Sequence, residues 1–200
     1  MKVTQLFEAR KPDIEYIEKR NKKAGDVLER VTAQLAGGHA ANATKLARRF
    51  ERLDKTAKLL KERRDEVNAK LKDLGDNLFN EEDALVTRVM ETAKFAMTLS
   101  ASEKAEKKAP KYSVDYEKAF AELAELVPDL EEAAKKILGK YTALVPQTDT
   151  PTKLTVKPKK LEEGLLSTVK SAWTKLKSWF VGWASSYDKK LADIKARYAA

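Results

Sequence analysis

Apolar residues recur along this chain at alternating spacings of three and four, the period of a helix with one face turned toward a partner. The first stripe runs Ile14, Ile17, Ala24, Leu28, Val31 and Leu35, and the polar Asn21 completes it. Asp13 is placed to cap its start, and Gly37-Gly38 end it where positive φ costs least. After the turn GGHAAN the pattern resumes at Leu46 and continues through Phe50, Leu53, Ala57, Leu60, Arg64, Val67, Leu71 and Leu74. Two long stripes joined by a short glycine turn predict an antiparallel helical hairpin over residues 13–79. Asn21 and Arg64 interrupt the two seams, and polar residues at such places set register or partner choice at some cost in stability.

Gly75 closes the second helix, and NEED at 80–83 opens a third with a capped, acid-rich start. Its stripe is Leu85, Val89, Ala93, Ala96 and Met97. SASEKAEKKAPK at 100–111 loses apolar content, which suits a solvated helix end or a connection. Ser113 is placed to cap a fourth helix carrying Tyr116, Phe120, Leu123 and Val127. Pro128 then marks a break, with a fifth helix ending near Gly139.

PQTDTPTKLTVKPKK at 146–160 holds three prolines and four lysines and reads as an extended linker. The remaining segment, 161–200, predicts one long helix with the stripe Leu165, Val169, Trp173, Leu176, Phe180, Trp183, Tyr187, Leu191, Ile194 and Tyr198. All 3 tryptophans of the chain lie in it, interleaved with Lys170, Lys175 and Lys177. The expectation is an all-α protein of about six helices: residues 1–12 as an address or docking peptide, then the hairpin at 13–79. An acidic helical segment at 80–145, the linker at 146–160 and the C-terminal aromatic helix at 161–200 follow.

Charge divides the chain the same way. Residues 1–79 carry 19 basic and 13 acidic side chains, residues 80–145 carry 10 and 13, and residues 146–200 carry 11 and 5, for a net +9. A polyanion would meet the two basic ends first, while the acidic middle is free to fold against them. Basic residues in ARRFERLDKTAKLLKERR at 47–64 alternate with acids, so sequence-specific nucleic-acid reading is not expected and weak, salt-sensitive backbone contact is. The N-terminus lacks the apolar core of a secretory signal, and the apolar run WFVGWA at 179–184 is too short to span a bilayer. Neither secretion through a signal peptide nor a transmembrane helix is expected.

Catalytic chemistry has little to stand on. With no cysteine there is no thiol nucleophile and no thiolate zinc site, and the single histidine, His39, sits in the Gly-Gly turn without a second histidine to make a dyad. No glycine-rich phosphate loop, GxSxG or HExxH is present, and the carboxylates read as helix-surface charges among lysines. No cofactor, metal or catalytic residue is expected. The aromatic helix has three readings: packing onto the protein's own helices, docking to another protein or a second copy, or a membrane interface. Its docking candidates are Trp173, Leu176, Trp179, Phe180, Trp183 and Tyr187.

One short segment remains. In MKVTQLFEAR, residues Val3, Leu6 and Phe7 share a helix face ahead of the first capped helix. The decapeptide resembles the N-terminal capsid-targeting sequences of internal head proteins in large tailed bacteriophages, which run Met-Lys, a short polar stretch, an apolar pair and Glu-Ala. In that family the peptide directs a small, basic, helical protein into the assembling head. A maturation protease then cuts after Leu or Ile, any residue and Glu, ahead of a small residue. Leu6, Phe7 and Glu8 followed by Ala9 fit that pattern, as do LEEA at 130–133 and LEEG at 161–164. The resemblance implies a non-enzymatic virion or internal head protein acting through protein contacts near DNA. An inhibitor or adaptor of a host protein, such as a defence enzyme, is the alternative, and a peripheral membrane protein a remoter one.

Overall fold

The computed structural model describes residues 14–70, 79–106, 114–145 and 158–198, and the regular structure among them is helical throughout. Five helices follow in order: α1 (Ile14–Ala36), α2 (Ala41–Lys70), α3 (Asn80–Glu106), α4 (Tyr116–Leu144) and α5 (Pro158–Tyr198). Val3, Leu6, Phe7, Glu8 and Ala9, the seam residues Leu71 and Leu74, Gly75, Ser113, residues 146–157 and the side chains of Leu165 and Val169 lie outside what is described.

Pairings between named side chains give the topology. Asn21 donates to Glu82 at 2.7 Å and Gln34 to the carbonyl of Met97 at 3.4 Å, so α1 and α3 run parallel. The Asn42 amide donates to Glu117 at 3.0 Å and Arg52 pairs with Glu131 at 3.5 Å, so α2 and α4 are parallel too. α1 packs on α2, α2 on α4, α4 on α3 and α3 on α1, closing a four-helix ring in which α2 and α3 are diagonal. α5 lies outside the ring across α3 and α4, antiparallel to α4, held by Lys190 to Asp129 at 2.8 Å and Arg197 to Glu122 at 2.9 Å.

The hairpin stripes fold as their spacing predicts. Ile17, Ala24, Leu28, Val31 and Leu35 of α1 and Leu46, Phe50, Leu53, Leu60 and Val67 of α2 are buried in the common core. Ala57 is the exception, exposed at a cleft between the two helices. The turn between them depends on glycine in another way than expected. Neither Gly37 nor Gly38 adopts positive φ; a Cβ on Gly38 would instead sit 3.1 Å from the Leu35 carbonyl oxygen, so close approach is what the position requires.

Three further expectations are corrected. Pro128 does not divide two helices: α4 runs unbroken from Tyr116 to Leu144 with Pro128 inside it and Gly139 in its last turns, so there are five helices and not six. Proline costs about 3 kcal/mol in a helix interior, and the burial of Val127, Leu130, Ala133, Ala134 and Ile137 around it supplies the opposing stabilisation. Asp115, whose carboxylate accepts from the Lys118 amide at 3.0 Å, caps α4. The third stripe also widens to take in Val86, Thr92, Phe95, Leu99, Ser100 and Glu103, because α3 touches three neighbours and needs more than one buried face.

Candidate functional site

Both polar interruptions of the hairpin seams reach the same atom. Glu82 sits in the first turn of α3 with 1% of its surface exposed, and its Oε1 accepts from Asn21 of α1 at 2.7 Å and from Arg64 of α2 at 3.0 Å. Oε2 accepts from the hydroxyl of Tyr141 of α4 at 2.8 Å. One carboxylate thus gathers a side chain from each of the other three helices in the ring. Tyr141 stacks in turn on Trp173 of α5, ring centroids 6.2 Å apart and 15° from parallel, so all five helices converge there.

Electrostatics explain why these residue types are needed. Arg64 is fully buried, and a guanidinium without water requires an anion in contact. Burial pushes the Glu82 carboxyl above its ordinary range, and Arg64 is the strongest of the groups that pull it back, followed by Tyr141 and Asn21. Burial and the neighbouring Glu82 carboxylate likewise drive the Tyr141 phenol well above its usual value. Arg64 also reaches Asp65 at 3.1 Å. With both Glu82 oxygens accepting from the protein itself, the cluster has the form of a register lock: a one-turn slip of any helix would leave a buried charge or donor unpaired.

Beside the lock the bundle is open. A cleft of about 960 Å3 runs between α1 and α2 and reaches the inner faces of α3 and α4. Leu28, Leu53, Leu60, Leu85 and Val89 line its depth, and Asn21 and Glu82 lie at one end. Small residues make the gap: Ala24 and Gly25 on α1 and Ala57 on α2 leave the volume that larger side chains would fill, and a Cβ on Gly25 would meet only Asp54, at 3.8 Å. Charges of both signs ring the mouth, with Lys58 paired to Asp54 at 2.6 Å.

The docking candidates of the aromatic helix are placed differently. Trp173, Leu176, Phe180 and Tyr187 are buried against α3 and α4, and Trp179 and Trp183 are half-buried and packed on the same core. The Tyr187 hydroxyl bonds Thr92 at 2.7 Å, Lys136 lies 3.5 Å over the Trp179 ring, and the Phe180 and Trp183 rings are 4.8 Å apart. Of the three readings of that face, packing onto the protein's own helices is the one the fold takes. The outward side of α5 carries Thr174, Ser178, Val181, Gly182 and Ser185 instead.

The sequence pattern singles out Asn21 and Arg64 as interruptions, but not Glu82 or Tyr141. The carboxylates read as solvated surface charges include three that are buried, Glu81, Glu82 and Glu103. A signal was present in each case. Glu82 precedes Leu85, Val89, Ala93 and Ala96 at the same three-four spacing, and Tyr141 continues Val127, Leu130, Ala134 and Ile137 once the helix is allowed through Pro128. His39 is exposed in its turn. Among the described residues no three His, Asp or Glu side chains are grouped as a metal ion would require, and no helix is long and apolar enough to cross a membrane. No protein-family model, curated protein or solved structure matches the chain.

Proposed function

We propose that this chain is a non-catalytic, phage-encoded virion or internal head protein that acts through protein contacts close to packaged DNA. The decapeptide MKVTQLFEAR carries the reading, with Leu6-Phe7-Glu8-Ala9 in the pattern of a head-maturation cut. The fold supports a binding role over turnover. In the polar cluster that joins the helices, Glu82 is sealed from solvent with both its oxygens engaged by the protein's own side chains. A net charge of +9 favours residence beside a polyanion through weak, salt-dependent contact. The host-adaptor alternative rests on the aromatic face of α5, most of which packs on α3 and α4.

Mass spectrometry of purified virions from the encoding phage tests the reading. The protein should be found in the particle, with a share of its chains beginning at Ala9. Its absence from virions would overturn the assignment.

A further inference from the structure

The cations and acids that alternate along α2 in sequence are separated once the helix is packed. Lys45, Arg48, Arg49 and Arg52 recur at the three-four spacing of one helix face. Lys45 and Arg48 are exposed and Arg49 is half-buried, while Arg52 keeps 61% of its side chain in solvent beside its 3.5 Å pairing with Glu131 of α4. The acids of the same stretch, Glu51 and Asp54, lie on the other flank, where they line the α1/α2 cleft and are engaged by Lys55 at 2.9 Å and Lys58 at 2.6 Å. Farther along, Lys61 and Arg63 are paired in turn to Asp65 and Glu66. Among the described residues no carboxylate pairs with Lys45, Arg48 or Arg49. The row also works against its own helix: Lys45 and Arg49, and Arg48 and Arg52, are like charges four residues apart, an arrangement that weakens a helix unless an anion from outside relieves it. The N–H groups at the start of α2 take no part, since those of Ala41 and Asn42 are occupied by the Glu117 carboxylate.

We propose that Lys45, Arg48, Arg49 and Arg52 form the surface through which this protein holds the phosphate backbone of duplex DNA without reading its bases, an inference that rests on the placement beside DNA proposed above. From Lys45 to Arg52 the row is about 10 Å long at ~1.5 Å per residue, a length over which a duplex presents about six phosphates. Three of its four members are arginines, whose forked guanidinium meets a phosphate with two N–H bonds. Flanked by α1 and α4, α2 is kept from entering a major groove that admits a single helix. The row exposes no aromatic ring and no Asn or Gln, so it supplies neither a stacking platform nor an amide to read adenine. Leu46, Phe50 and Leu53 are committed to the core, which leaves α2 no apolar face to lay into a bilayer. On the outer side of α4, Glu132 is paired to Lys136 at 2.8 Å and Glu125 stands exposed, so the row meets its anion from the side away from α4. The outward side of α5 is a poorer match: Ser178, Val181, Gly182 and Ser185 separate Lys175 from Lys189 there, by about 21 Å.

Fluorescence anisotropy with a labelled duplex DNA of about 20 base pairs, followed from about 50 to about 200 mM salt, tests the site. Lys45→Gln, Arg48→Gln and Arg49→Gln combined should weaken binding at least about tenfold at the low end and lessen the salt slope by about 2 to 3, at ~0.9 per phosphate contact. Lys175→Gln, Lys189→Gln and Lys195→Gln combined remove the same charge from α5 and should weaken it less than about threefold. Lys45→Gln with Arg48→Gln spares the half-buried Arg49 and should still lose at least about fivefold, at an unchanged melting temperature. Equal losses from the α2 and α5 sets would overturn the site while leaving a general attraction to polyanions in place. No binding by the native protein would overturn both, and its presence in virions is measured separately. Binding confined to duplex RNA, or to phosphatidylserine vesicles, would overturn the proposal as well.

Discussion

Along α4 and α5 the seam is filled by rings, whereas between α1 and α2 three small residues leave a cleft beside the buried leucines. Both seams follow the same three-four spacing. Trp173, Phe180 and Tyr187 close the first, with Trp179 and Trp183 at its edge and Thr92 bonded to the buried Tyr187 hydroxyl. Ala24, Gly25 and Ala57 leave the second parted, and its alignment rests on Asn21 and Arg64 meeting Glu82. Periodicity thus decides which faces meet, while side-chain volume decides whether they touch. Where volume is lacking, a buried polar contact takes over the task of fixing register.

The largest test of that contrast removes the feature that holds each seam. Arg64→Met leaves the Glu82 carboxylate buried and without its cation and should cost about 3–5 kcal/mol, read from denaturant midpoints. Phe180→Ala should cost a similar ~3–5 kcal/mol through the cavity it opens. The two losses differ in how they are repaired. Adding Glu82→Leu to Arg64→Met removes the stranded charge as well and should restore part of the lost stability, since a buried ion pair is often no better than an apolar replacement, less what the Tyr141 hydroxyl and Asn21 lose with their acceptor. A double variant as unstable as Arg64→Met alone would show that packing, and not the ion pair, governs the open side too.

The same contrast explains what the sequence could and could not convey. The fold class, the hairpin and the inward aromatic stripe follow from spacing, because a face that is apolar every three to four residues has to be covered. The lock was half legible. Asn21 and Arg64 stand out as polar positions in apolar rows, but Glu82 sits in a first turn, where acids usually complement the helix dipole in water. Only contact with three other helices distinguishes a carboxylate drawn inward from one left outside, and that contact is nonlocal. Tyr141 was hidden by Pro128, whose local preference for a break was overridden by burial on both sides of it. The cleft is a matter of summed volumes across two helices, which no single stripe reports.

A smaller effect separates the two seams through their glycines. Gly25 lies on the open side and Gly182 on the outward face of α5, both within helices, and a Cβ at either meets nothing closer than 3.8 Å. Gly25→Ala and Gly182→Ala should each raise stability by up to about 1 kcal/mol from helix propensity. Thermal denaturation of the two variants side by side checks this. A gain at Gly182 with a loss at Gly25 would mean that the α1/α2 side is as tightly filled as the α4/α5 side, and the contrast between them would fail.

The finest test uses adjacent residues that face different regions. Glu82 turns toward α1, α2 and α4, while Glu81 lies against Trp173 and Lys177 of α5. Burial raises the Glu81 carboxyl above its ordinary 4.5, with its own backbone N–H and then the Lys177 charge pulling it back. A carboxyl raised in the folded state keeps its proton at pH values where the unfolded chain has released it. Its contribution to stability is therefore complete below about pH 4.5 and is lost as pH rises through the folded value. Glu81→Gln, uncharged throughout, should remove that slope, so the variant gains on the native protein between pH 4 and pH 7 in denaturant titrations at fixed salt. The raised Glu82 and Asp83 carboxyls remain in both proteins and cancel from the comparison. Were the native protein instead to gain on the variant as pH rises, the attraction of Lys177 would outweigh burial. The α3/α5 contact would then be held by charge as the α1/α2 side is, and not by ring packing alone.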